Sequence, residues 1–314
     1  VKPLKANEIT GNWATLLLCT NKDGTIDFSR LGEELDILIS SHPNGIYSNG
    51  TSGEFHTLNE VEFDKVNRLL AEKCENSEIP FQIGVSHMSA QIQLERLKRI
   101  TQLKPSAVQV ILPDWFPVTN NEAVSFLRKM SEVSGDIGLV LYNPPHAKRV
   151  LLPEDWAFLK RHIACLVGVK VFDYEGDDEW YAKVRQYAKG LSVFIPGHNL
   201  ITGISKGANG TYSNVACLNP FAAQNWYETI KIDLKAALEL EKRIKLFMRR
   251  FILPLITKEK YSNPACDRFM AVIGGWADVG PFMRWPYRSI PIELAYKIRP
   301  EVEKLIPEFL QENV

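Results

Sequence analysis

The run LVGVKVF from Leu166 sets a lysine, Lys170, among apolar and β-branched residues. An ammonium held there is costly, because removal from water disfavours the charged form and drives its pKa down from about 10.4. A neutral amine is a nucleophile. It attacks a ketone, and the resulting iminium withdraws electrons so that an adjacent carbon–carbon bond breaks or an adjacent proton leaves. The same residue also fits a plainer description, a strand-end lysine that reaches solvent or pairs with a carboxylate such as Asp173.

Two further stretches carry chemistry that would serve such a lysine. Gly50-Thr51-Ser52-Gly53-Glu54 offers successive backbone N–H groups and two hydroxyls, suited to holding a carboxylate, though it also reads as a tight turn. Tyr142, in GLVLYNP, carries a phenol able to give and take a proton beside a carbonyl; equally, it is a packed aromatic with a wet hydroxyl.

These residues need elements to position them, and the chain supplies a regular alternation. Short apolar runs begin at Trp13, Gly45, Pro80, Ala107, Gly138, Leu166, Leu191 and Ala208, separated by amphipathic stretches. That is the pattern of βα units and a parallel sheet, and eight strands close a (β/α)8 TIM barrel. Leu31, Leu35, Leu38 and Ile39 follow the cap candidate Ser29 at helical spacing, and Ala123, Leu127 and Met130 repeat it after Asn120 and Asn121. No dinucleotide or P-loop glycine fingerprint follows a strand, so a doubly wound sheet lacks its usual support. The predicted division is a barrel over residues 1–240 and a helical C-terminal extension over 241–314, with a hinge near Pro254 to Pro264. Active sites of such barrels lie at the C-terminal strand ends, where Gly50–Glu54, Tyr142 and Lys170 all fall.

Composition narrows the partners. Lys plus Arg and Asp plus Glu each total 37, so no global field recruits nucleic acid or an anionic membrane. No apolar run nears the roughly 20 residues of a membrane-spanning helix, and VKPLKANEIT has no signal-peptide core, which makes the cytoplasm the expected compartment. Cys19, Cys74, Cys165, Cys217 and Cys266 are odd in number and form no Cys-x-x-Cys pair, so neither a disulfide framework nor a metal site is expected.

Taken together and in order, GTSGEFHTL, YNPP and GVK resemble the motifs of the N-acetylneuraminate lyase and dihydrodipicolinate synthase family of class I aldolases. GANGTYSNVACLNP from Gly207 and RWP at Arg284 extend the resemblance over nearly the whole chain. It implies that Lys170 forms a Schiff base with a 2-oxo acid, usually pyruvate, with no other cofactor. Tyr142 would shuttle protons. Thr51 and Ser52, in the turn opened by Gly50, would bind the carboxylate. Gly197 would contribute a backbone carbonyl, and the assembly would be a homotetramer or dimer.

The same resemblance exposes departures. Dihydrodipicolinate synthases carry an arginine five residues after the motif tyrosine for the second substrate's carboxylate; here that position is Ala147, with Lys148 and Arg149 nearby. Their relay tyrosine after the fourth strand corresponds to Trp115, whose indole cannot relay a hydroxyl proton. Neuraminate lyases carry a hydroxyl residue two positions after the lysine and acidic residues after the seventh strand, where this chain has Phe172, His198 and Asn199. Their eighth-strand serine is Asn214 here. Trp115, Phe116, Phe172 and Tyr212 are expected to line an aromatic pocket, as in members acting on aromatic aldehydes, and GEF is similar to deoxyketoglucarate dehydratases. His56 and His198 are polar candidates near the mouth.

The expected function is a Schiff-base lyase that cleaves, condenses or dehydrates a 2-oxo acid, with an aldehyde or sugar acid as second substrate. Dihydrodipicolinate synthase activity is the nearest alternative. A silent 2-oxo-acid sensor is the alternative of another class.

Overall fold

The computed structural model describes residues 1–310. Eight parallel strands, β1 (Gly11–Thr15), β2 (Gly45–Ser48), β3 (Phe81–Gly84), β4 (Ala107–Ile111), β5 (Leu139–Asn143), β6 (Leu166–Val171), β7 (Ser192–Ile195) and β8 (Gly210–Ser213), pair in sequence order and close into a barrel. Around and beyond it run α1 (Phe28–Ser40), α2 (Glu60–Asn76), α3 (Ala90–Ile100), α4 (Asn120–Ser134), α5 (Pro153–His162), α6 (Asp178–Tyr187), α7 (Leu200–Lys206), α8 (Val215–Leu218) and α9 (Pro220–Thr229). The C-terminal helices are α10 (Leu234–Phe247), α11 (Leu253–Thr257), α12 (Asn263–Gly274) and α13 (Ile292–Leu305). The chain is thus the expected TIM barrel with a helical extension.

Local chemistry sets the helix starts. α1 is capped by Asp27 rather than Ser29: the Asp27 carboxylate accepts from the backbone N–H of Ser29 and Arg30, a charge-assisted cap. α4 starts at Asn120 and is capped by the preceding Thr119, which forms a reciprocal capping box with Glu122. α10 spans Leu234–Phe247, so the expected division after residue 240 falls inside a continuous helix.

Strand alternation fills the barrel. Trp13, Tyr47, Ala107, Val140, Phe194 and Tyr212 form a buried interior cluster, distinct from the larger apolar layer between strands and helices. Two residues further along their strands, interior positions reach the C-terminal mouth. Tyr142 succeeds Val140 in this way, and Lys170 succeeds Gly168. The β5–β6 register shifts between Leu139 and Val140, leaving Val167 as an extra residue, and then sets Tyr142 opposite Lys170. A bulge of this kind re-aims the side chains that follow it. Among the described residues, no helix is long and apolar enough to cross a membrane.

Candidate active site

Lys170 projects into the mouth of the barrel. Its Nζ lies 4.4 Å from the ring centre of Tyr142, 4.7 Å from that of Tyr47 and 5.2 Å from that of Tyr212. Burial among these rings pushes the amine down to about 7, and the Asp267 carboxylate opposes the shift. The aromatic faces also favour the ammonium, but desolvation dominates. Gly50 closes the site from the β2 side: a Cβ there would stand 2.6 Å from the Tyr47 ring and 3.4 Å from Lys170 Nζ, so the turn can lie against the lysine only without a side chain.

The Tyr142 hydroxyl shares a 2.9 Å hydrogen bond with Thr51 Oγ1. Burial raises the phenol to about 12, with the Thr51 bond pulling it back. Tyr142 is therefore protonated at neutral pH, with a hydroxyl able to donate to an oxygen placed beside Lys170. Asp173, the alternative partner for Lys170, is engaged elsewhere: Asn199 and Tyr181 donate to it at 2.8 and 3.1 Å.

Ser52 points to a residue that the strand pattern does not reveal. Its Oγ donates to Asp267 Oδ2 at 2.5 Å. Asp267 lies on α12 and is 8% exposed; burial raises its carboxyl to about 6, with Ser52 and Lys170 pulling it down. The next residue, Arg268, pairs with Glu54 of the same turn; both are buried, and Arg268 also donates to the Val279 carbonyl at 3.0 Å. Adjacent residues of one C-terminal helix thus hold both ends of the Ser52–Glu54 segment. The available sequence signal is an Asp-Arg pair inside the otherwise apolar run ACDRFMAVIGG.

The remaining candidates divide. Tyr212 lies on the floor of the site, its hydroxyl donating to Gln82 Oε1 at 2.6 Å. Gly197, His198 and Asn214 gather at the ends of β7 and β8, where Asn214 Nδ2 and His198 Nδ1 are 3.2 Å apart. A Cβ on Gly197 would lie 2.7 Å from Asn214 Oδ1. Phe172 packs edge-on against Tyr174, ring centres 5.6 Å apart. Trp115 and Phe116 are 65% and 76% exposed, and Lys148 lies over the indole and donates to the Trp115 carbonyl.

A cleft of about 390 Å³ opens from Thr51 and Tyr142 toward the ends of β3, β4 and β5. Phe55, Met88, Ile111, Leu112 and Val118 make it chiefly apolar; His56, His87 and His146 lie along it, as does Ala147. Trp115, Phe116, Phe172 and Tyr212 are not among its lining residues. Arg149 borders it, but its guanidinium is bound to the Val118 carbonyl, Asn120 and Asp155. Among the described residues no three His, Cys, Asp or Glu side chains gather as a metal ion would require.

Residues 8–303 match the Dihydrodipicolinate synthetase family. The chain belongs to that family. Its members are class I aldolase-type lyases, and this protein is an enzyme of that kind. A 4-hydroxy-tetrahydrodipicolinate synthase of Thermotoga petrophila is 28% identical over 291 residues, 82% of this chain and 95% of the relative. The enzyme of that name from Ruthia magnifica is 28% identical over 230 residues, 69% of this chain and 75% of the relative. Among solved structures, a prophage protein of the dihydrodipicolinic acid synthase family from E. coli K12, in complex with pyruvate, superposes with a TM-score of 0.82 at 17% identity. That alignment covers 95% of this chain and 98% of the other. At such identity the likeness concerns the fold. In this chain's barrel, Lys170, Tyr142 and the Gly50–Glu54 turn lie at the C-terminal strand ends, where barrel enzymes do their chemistry.

Proposed function

We propose that the protein is a pyruvate-type Schiff-base lyase in which Lys170 is the nucleophile. The observation that carries this reading is an amine desolvated by three tyrosine rings, with Tyr142 in register beside it and bonded to Thr51. Lys170 attacks C2 of the 2-oxo acid. Tyr142 donates to the carbinolamine oxygen, which leaves as water, and later moves the proton at C3 or on the partner. Thr51 and Ser52 hold the substrate carboxylate. Gly197, His198 and Asn214 face the far part of the substrate from β7 and β8. The iminium is itself the electron sink, so the step calls for no metal or nucleotide.

The second substrate is an aldehyde of largely apolar character, accommodated in the cleft from Phe55 to Val118. Ala147 offers a carboxylate nothing to grip, and Arg149 and Lys148 are engaged by backbone and side-chain oxygens. The synthase activity named for the relatives is the second reading, favoured by their sequence identity and disfavoured by Ala147. We further infer a homo-oligomer that covers Trp115 and Phe116, working in the cytoplasm, where free cysteines stay reduced.

Borohydride reduction in the presence of pyruvate should leave a covalent adduct that peptide mass spectrometry locates on Lys170. Failure across several 2-oxo acids would sink the reading. A panel of aldehydes scored for pyruvate turnover should favour apolar and aromatic aldehydes over carboxylate-bearing ones.

A further inference from the structure

We propose that Asp267 is a positioning residue of the lyase site that takes up a proton when a 2-oxo acid binds, so that Ser52 can turn its hydroxyl to the substrate carboxylate. The inference rests on the Schiff-base reading. Ser52 donates to Asp267 Oδ2 at 2.5 Å, which commits the one hydrogen of that hydroxyl. A carboxylate arriving at the Thr51-Ser52 turn needs the same hydrogen, and it brings a second negative charge beside a buried one. Protonating Asp267 answers both demands. The acid donates to Ser52 Oγ, the Ser52 hydrogen is released toward the substrate, and the charge on Asp267 disappears.

Charge counting around Asp267 supports this. Lys170 on β6 is the cation that acts on it. Tyr47 on β2, Tyr142 on β5, Cys217 on α8 and Cys266 on its own helix are the other titratable groups that face it, and burial raises all four, keeping them neutral. Arg268, the other cation that α12 brings to the turn, is already paired with Glu54. With substrate bound, the iminium and the substrate carboxylate cancel, so an ionised Asp267 would leave an uncompensated buried anion. The balanced step is the following. Neutral Lys170 amine, 2-oxo acid anion and one proton give the iminium carboxylate and water: the C–N bond forms and the carbonyl C–O bond breaks. Ionised Asp267 and a second proton give the carboxylic acid.

Lys170 near about 7 and Asp267 near about 6 place both groups in their proton-poor forms at about pH 8.5. There the wild type takes up about two protons on adduct formation, and Asp267→Asn, whose amide donates permanently to Ser52, takes up about one. Each proton adds a factor of about ten per pH unit to the pyruvate dissociation constant. Pyruvate binding is measured calorimetrically from about pH 5 to 9 in buffers of different ionisation enthalpy, with borohydride trapping to count adduct. The expected result is a wild-type slope that climbs to two decades per unit and an Asp267→Asn slope that stops at one. Equal slopes with normal adduct yield overturn the role of Asp267 while leaving the lyase reading intact; no adduct with the wild type overturns both. Should the variant not fold, the wild-type slope decides alone: a plateau at one proton means that Asp267 stays ionised, and the inference fails.

Discussion

Lys170 illustrates how a side chain's chemistry follows from what surrounds it. Its sequence context, apolar on both sides, indicates desolvation, but a strand-end lysine beside Asp173 has the same local sequence. The structure separates the two by engaging Asp173 with Asn199 and Tyr181 and surrounding Lys170 with tyrosine rings. Lys170→Arg should form no reducible adduct, since a guanidinium stays charged at working pH; an adduct found at another lysine would redirect the mechanism. Tyr142→Phe should keep pyruvate binding and lower turnover by about 10²–10⁴-fold, the range for a positioned acid–base group, read from kcat against KM. The pH profile of adduct formation follows from the same environment. Lys170 and Asp267 titrate as a pair near about 7 and about 6. Falling pH puts a proton on Lys170 and removes its lone pair, so trapping by borohydride should slow on the acid side of this range; a rate that stays flat there contradicts a neutral lysine nucleophile.

At the scale of elements, the strands were legible and the helix that clamps the site was legible only in part. Every apolar run holds a strand, because short apolar runs spaced by amphipathic helices leave few solutions other than βα units. The residues ACDRFMAVIGG show a helix, but nothing in their spacing tells which strand end they meet. In the fold, α12 packs on α8 so closely that a Cβ on Gly274 would lie 1.7 Å from the Leu218 carbonyl oxygen. Gly274→Ala should therefore displace α12, costing about 1–3 kcal/mol by overpacking, and weaken pyruvate binding through Asp267 and Arg268. Thermal unfolding and pyruvate titration of one sample would expose a purely local effect, in which only the melting temperature moves. Glu54→Ala should be more severe, about 3–5 kcal/mol, because it strands the Arg268 guanidinium in a buried site.

For the whole molecule, the barrel and its extension meet at the strand-end mouth: the turn after β2 carries Thr51 and Ser52, β5 and β6 bring Tyr142 opposite Lys170, and α12 braces the turn through Asp267 and Arg268. The proposed oligomer would cover the exposed Trp115 and Phe116, on the loop that borders the cleft. Sedimentation should show an oligomer, and Trp115→Glu should shift it toward monomer; a wild type already monomeric at micromolar concentration removes the basis for that expectation.

The sequence by itself determined the eight-strand rhythm and the family motifs and marked Lys170 as the candidate nucleophile, because each motif lies in residues close together in the chain. The absence of an arginine at Ala147 was equally plain. Only the tertiary structure decided what acts on those residues. It joined Ser52 to Asp267 across more than two hundred positions, brought Tyr142 opposite Lys170 through the extra residue Val167, and turned Trp115 outward from the cleft. The reason is physical: a strand's periodicity fixes which face a side chain takes, whereas the charge, hydrogen bonds and water around it depend on which distant elements pack there.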